Sequence, residues 1–173
     1  KNKIDEVSEK ISGSIKNQVK FIELEKKRVV SLIEKWLIKE SLRENFEIFG
    51  LEHFETINLV GLDLNVRVDR IDRLNDDSQF IIDYKTGSVN TADWFQERIQ
   101  EPQLPLYAIK LKPAGIAYAR VIKDPKTTNF SYLSKEPSIP RLPNAPTSFE
   151  KKTGIAEWEH LLNYWEACLS SLA

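Results

Sequence analysis

Apolar residues recur at three- and four-residue spacing over the first forty positions and at two-residue spacing after that. Ile4, Val7, Ile11, Ile15 and Val19 mark one amphipathic helix. Val29, Leu32, Ile33, Trp36 and Leu37 mark a second, and the charge run at 25–28 reads as its solvated side. From residue 45 the period shortens. Phe46, Ile48 and Leu51 open a strand-like stretch that Thr56 to Val60 continue, and Leu62, Leu64, Val66 and Val68 alternate with Asp63, Asn65, Arg67 and Asp69. Asn75-Asp76-Asp77-Ser78 has turn composition, so the next strand, Phe80–Ile82, is expected to pair back as a hairpin and to stop near Gly87.

Helical spacing returns over 93–110 around Trp94, Leu104, Tyr107 and Ile109, with Pro102 suited to a first turn. Residues 115–122 predict a strand. Five prolines between 124 and 154 predict an extended loop, and Ile155, Trp158, Leu161, Leu162, Trp165 and Leu169 a closing helix. Helices, three antiparallel strands, helix, strand, helix is the order of a single mixed α/β domain spanning residues 1–173. The chain starts on Lys1, which suggests a piece of a longer protein.

Composition narrows the class. The 41% hydrophobic and 29% charged residues are ordinary for a globular domain, and four Trp, eight Phe and five Tyr supply bulk for a core. A net charge of -1 announces no global basic field. The one cysteine, Cys168, excludes an internal disulfide and a thiolate-built zinc or iron–sulfur centre, and reads as a small hydrophobe of the last helix. No apolar run reaches the roughly 20 residues needed to cross a bilayer, and there is no signal-peptide pattern, so a cytoplasmic location is expected.

The chemistry concentrates in Asp69-Arg70-Ile71-Asp72 and Ile82-Asp83-Tyr84-Lys85-Thr86-Gly87. Residues two apart in a strand share a face, so Asp83 and Lys85 project together. A hairpin through 75–78 brings Asp69 beside them. Two converging carboxylates repel unless a cation lies between them, and hard oxygen ligands suit Mg²⁺ or Mn²⁺. Such a site would hydrolyse phosphodiesters, with Lys85 assisting the nucleophile or neutralising charge. Asp-x-Lys on its own is equally an ion pair at a strand end.

The run from Phe46 to Tyr107 resembles the PD-(D/E)XK nuclease superfamily, and within it the RecB-like branch of bacterial recombination and repair proteins. Glu52, in Phe46-Glu47-Ile48-Phe49-Gly50-Leu51-Glu52, is similar to that branch's strand glutamate. Asp69 matches its first metal-binding aspartate, and Asp83 and Lys85 its second aspartate and catalytic lysine. Gln103 and Tyr107, in Gln103-Leu104-Pro105-Leu106-Tyr107, match its glutamine-x3-tyrosine motif, and four-residue spacing puts them on one helix face.

The resemblance implies a restriction-endonuclease-like fold, a mixed sheet flanked by helices. It implies Mg²⁺- or Mn²⁺-dependent cleavage of DNA, with Asp69 and Asp83 as metal ligands and Glu52 as helper. Gln103, Tyr107 and Arg70 are expected at the substrate, and a helicase or other repair subunit is an expected partner. The rival reading is a nuclease fold without chemistry that grips DNA or scaffolds such an assembly.

Departures are specific. Val66 stands where the branch has a glycine three residues before the first aspartate. Neither His53 nor His160 suits the branch's upstream metal-binding histidine, which is expected before Lys1. Cys168 alone cannot supply the cysteine cluster some relatives carry. Arg67, Arg73 and Arg98 are further candidates for phosphate contact, Asp72 reads as a structural partner of Arg70, and Trp94 and Phe95 as packing. Ser148-Phe149-Glu150-Lys151 imitates a serine–lysine pair, but it lies in the proline-rich stretch in the wrong chain order.

Overall fold

A computed structural model describes residues 3–122, 128–136, 142 and 146–172, with side chains from residue 17 onward. One helix, α1 (Lys3–Glu40), opens the chain. It merges the two expected helices, because residues 20–28 contain no glycine or proline to separate them. Of its side chains described here only Trp36 is buried; Val19, Val29, Ile33 and Leu37 are exposed.

Among the described residues five strands follow in the spatial order β1 (Phe46–Leu59), β2 (Leu62–Leu74), β3 (Gln79–Lys85), β4 (Gly115–Arg120) and β5 (Asn129–Ser134). The first three pair antiparallel as expected. The β1–β2 turn is Val60-Gly61, both at positive φ, as a two-residue hairpin turn requires. At the β2–β3 turn Ser78 donates its backbone N–H to Asp76 Oδ1. β3 and β4 pair parallel, and the crossover between them contains a 3-10 turn (Thr91–Phe95) and α2 (Gln103–Leu111). Helical spacing over 93–110 thus covers two short helices, with Pro102 capping the second.

The proline-rich stretch is not all loop. It contains β5, antiparallel to β4, whose Phe130 and Tyr132 face one side and Leu133 the other. It also holds one turn of helix, α3 (Glu150–Thr153), where Ser148 Oγ accepts from the Lys151 N–H. Pro125, Pro137, Pro140 and Pro143 lie outside the described residues. The closing helix, α4 (Trp158–Ser170), begins after Ile155 rather than with it.

The sheet has a core on each side. Ile71, Ile81, Ile116 and Leu133 meet α2, α4 and Trp94 on one face, while Phe80, Ile82, Ala117 and Phe130 meet Trp36 on the other. Three of the buried indoles are bonded: Trp94 Nε1 donates to Tyr118 Oη at 3.0 Å, Trp158 Nε1 to the Pro113 carbonyl at 2.9 Å and Trp165 Nε1 to the Trp94 carbonyl at 2.8 Å. Cys168 sits half-buried at the edge of the first core. Among the described residues no helix is long and apolar enough to cross a membrane. A mixed five-stranded sheet flanked by helices is the α/β architecture expected of a restriction-endonuclease-like fold.

Candidate active site at the end of strands β2 and β3

The period-two pattern of β2 does not run unbroken. Val66 and Val68 pack on the first core, and so does Ile71, three residues further on. An odd separation reverses the face in a regular strand, so the in–out phase slips between 68 and 71. Pairing marks the same place. Leu51 faces Arg70 and His53 faces Val68, but the intervening step between Glu52 and Asp69 is not paired, and Glu52 has φ +48°. A glutamate in the left-handed region stores on the order of 1–3 kcal/mol of strain, and such strain clusters at functional sites. Asp69 therefore lies at an irregularity that alternation alone does not reveal.

Arg70 pairs with Ile82 across β2 and β3, so one step beyond that ladder Asp69 stands against Asp83. The Tyr84 backbone N–H donates to Asp69 Oδ2 at 2.9 Å, which fixes the first carboxylate on the end of β3. Asp83 is buried to 2% exposure. Lys85 Nζ lies 2.9 Å from Asp83 Oδ2 in an ion pair, and that oxygen is otherwise sealed from water. Burial pushes the Asp83 carboxyl above its ordinary range; Lys85 works against this, and Asp69 and Glu101 add to it. For Lys85 burial opposes the charge, but Asp83, with Glu101 and Asp69, carries its ammonium above the usual lysine value. At neutral pH Lys85 is a cation.

The motif on α2 closes one side. Gln103 Nε2 donates to Tyr107 Oη at 2.8 Å, and that hydroxyl donates to the Arg67 carbonyl at 2.6 Å, two residues before Asp69. Burial raises the Tyr107 phenol, so it remains a donor at neutral pH. Asp69, Gln103, Tyr107, Arg67, Val66 and Leu106 line a cleft of about 420 Å³ that opens onto Asp69. Val66, at the expected glycine position, simply forms part of that wall.

The other expected residues divide. Glu52 points into solvent and pairs with Arg67 at 2.9 Å. Arg70 is not brought to the site. It is buried on the opposite face, because it is one residue out of phase with Asp69, and its guanidinium is bound to Asp72. The expected Arg70–Asp72 partnership is thus present, and the expected substrate contact of Arg70 is not. Arg73 pairs with Glu47, Arg98 is exposed, His53 pairs with Glu55 at 3.0 Å, and His160 is exposed on α4. Two residues were missed. Tyr118, facing Asp83 across β3 and β4, puts its ring centroid 5.7 Å from Lys85 Nζ, and Glu101 adds acidic field. Only the parallel β3–β4 pairing brings Tyr118 there, and nothing in its local sequence signals it.

The donor set fits a hard divalent cation. A buried carboxylate oxygen whose close partner is the Lys85 ammonium stands beside a second carboxylate on the neighbouring strand. Among the described residues no group of three acidic, histidine or cysteine side chains converges. Mg²⁺ is commonly held by one or two carboxylates, with waters and substrate phosphates completing its shell, so two are enough.

The sequence profile of the PD-(D/E)XK nuclease superfamily matches residues 2–169. Among curated proteins no significant match is found. The solved structure of SSO0001 is similar at 15% identity and a TM-score of 0.36, over 91% of this chain and 71% of that one. Nucleases of this superfamily typically use divalent metals. With nearly its whole length matched, the chain belongs to the PD-(D/E)XK nuclease superfamily.

Proposed function

We propose that this chain is a Mg²⁺-dependent nuclease domain that hydrolyses DNA phosphodiester bonds, serving recombination or repair beside a helicase or other repair subunit. The observation that carries this reading is the buried Asp83 beside Lys85, with Asp69 anchored to the same strand end. Asp69 and Asp83 would hold the ion, which when bound polarises the scissile phosphate and acidifies a coordinated water. Lys85, cationic and only partly exposed, neutralises charge developing on the phosphoryl oxygens. Gln103 and Tyr107 hold β2 at Arg67 and form the wall against which the DNA backbone lies. Glu52 and Arg67, exposed and paired, can part to meet phosphate and metal-bound water. The resemblance to the RecB-like branch supports the repair setting.

The test is cleavage of blunt, nicked and single-stranded DNA with Mg²⁺ or Mn²⁺, against Lys85→Ala and Asp83→Asn. Metal-dependent cutting that both variants lose is the expected result. Cutting at an unchanged rate by either variant would overturn the assignment. The rival is a fold that grips DNA without cutting it. Metal-independent DNA binding with no cleavage of any substrate would establish that one.

A further inference from the structure

We infer that Tyr84 is a positioning residue through which a buried charge network behind the sheet holds the site carboxylates in place, an inference resting on the reading of Asp69 and Asp83 as metal ligands. Tyr84 stands between Asp83 and Lys85, so its side chain leaves β3 on the opposite face. Its backbone N–H donates to Asp69 Oδ2 at 2.9 Å. Behind the sheet its hydroxyl accepts from Arg70 Nη1 at 2.8 Å, and its ring meets Trp36 of α1 edge-on at 5.9 Å. One residue thus touches a site carboxylate on one side and the network on the other.

That network joins α1 to β2. Asp72, with no exposed surface, accepts from Arg70 Nε and Nη2 at 2.6 and 3.0 Å and from Arg43 Nη2 at 2.7 Å. Glu40, at the end of α1, accepts from Arg43 Nη1 at 2.8 Å and lies 3.3 Å from Arg70 Nη1. The Phe46 ring covers both guanidinium groups at 4.0 and 4.8 Å. Buried ion clusters are poor devices for stability alone, since apolar packing of equal volume serves as well. What they supply is direction, and here the directed bond ends on the Tyr84 hydroxyl. Groups that orient a metal ligand typically cost about 10–100-fold in metal affinity when they are removed.

The experiment titrates Mn²⁺ into the chain by calorimetry, without DNA, and records thermal unfolding of each variant. Tyr84→Phe keeps the ring against Trp36 and removes only the hydroxyl. It should weaken Mn²⁺ binding about tenfold, the lower end of what outer partners of metal ligands cost, with its unfolding midpoint little changed. Glu40→Gln should weaken binding in the same direction by less. Unchanged Mn²⁺ affinity in Tyr84→Phe, or a loss that merely follows a lowered midpoint, would overturn the positioning role. Asp69→Asn separates the two levels. If wild type binds no Mn²⁺, or Asp69→Asn binds it equally well, the metal reading itself fails. If Asp69→Asn abolishes binding while Tyr84→Phe does not change it, only the positioning role fails.

Discussion

Removing one oxygen from Tyr107 tests how α2 is tied to the strand that carries Asp69. In Tyr107→Phe the Arg67 carbonyl loses a donor at 2.6 Å and Gln103 Nε2 loses an acceptor at 2.8 Å. The two losses are unequal. Gln103 lines the open cleft and can turn to water, whereas the Arg67 carbonyl accepts from a tyrosine that is itself buried. A typical bond contributes about 0.5–1.5 kcal/mol net, and an orphaned buried partner adds about 1–3 kcal/mol to its loss. With one partner rescued by water and the other not, the expected destabilisation is about 1.5 kcal/mol, or roughly tenfold in the unfolding constant.

Urea unfolding at neutral pH measures this directly, since a shifted midpoint at constant slope is a change in stability. Gln103→Ala should lose less, about 0.5 kcal/mol, because only a solvent-facing bond is removed. The double variant should then fall short of the sum by about 0.5 kcal/mol, the coupling expected of groups in one hydrogen-bonded chain. Full additivity, or a Tyr107→Phe midpoint equal to wild type, would refute the claim that the relay fastens β2.

Other outcomes follow from the same geometry. Lys85→Ala should lower cleavage by about 10²–10⁴-fold, the range for a positioned group at the reacting centre, read in a steady-state nuclease assay. In the metal-free protein the folded Lys85 holds its proton more tightly than the unfolded chain does. Its contribution to stability is therefore complete below the unfolded value of 10.5 and lost as pH rises through the raised folded value, so the stability gap between wild type and Lys85→Gln, followed by urea unfolding against pH, should close above that point. Arg70→Gln should destabilise by about 3 kcal/mol by stripping a partner from the buried Asp72, yet leave the salt slope of DNA binding unchanged, which it would not if Arg70 contacted phosphate. Gly115→Ala should destabilise by at least about 1–3 kcal/mol in thermal unfolding, as overpacking does. A Cβ there would come within 2.5 Å of the Phe80 ring and 2.6 Å of the Leu133 carbonyl.

Local pattern carried a good part of this protein. The hairpin at Asn75–Ser78, the helix after Pro102 and the closing helix are each written in a short stretch, because turn chemistry, proline at a first helical turn and apolar spacing act between neighbours. Asp83 with Lys85, and Gln103 with Tyr107, were legible for the same reason: spacings of two and four fix a shared face before any tertiary contact forms. What spacing could not decide was anything that depends on how separate elements meet. The phase slip at Asp69 lies opposite Glu52, whose φ is positive, and with it Arg70 turns away from the substrate side into a buried network with a helix thirty residues upstream. β5 was hidden among prolines because its pairing with β4, not its flanks, makes it a strand. Tyr118 reaches Lys85 only through the parallel β3–β4 register. Periodicity specifies elements, whereas long-range pairing decides which of their faces share a pocket.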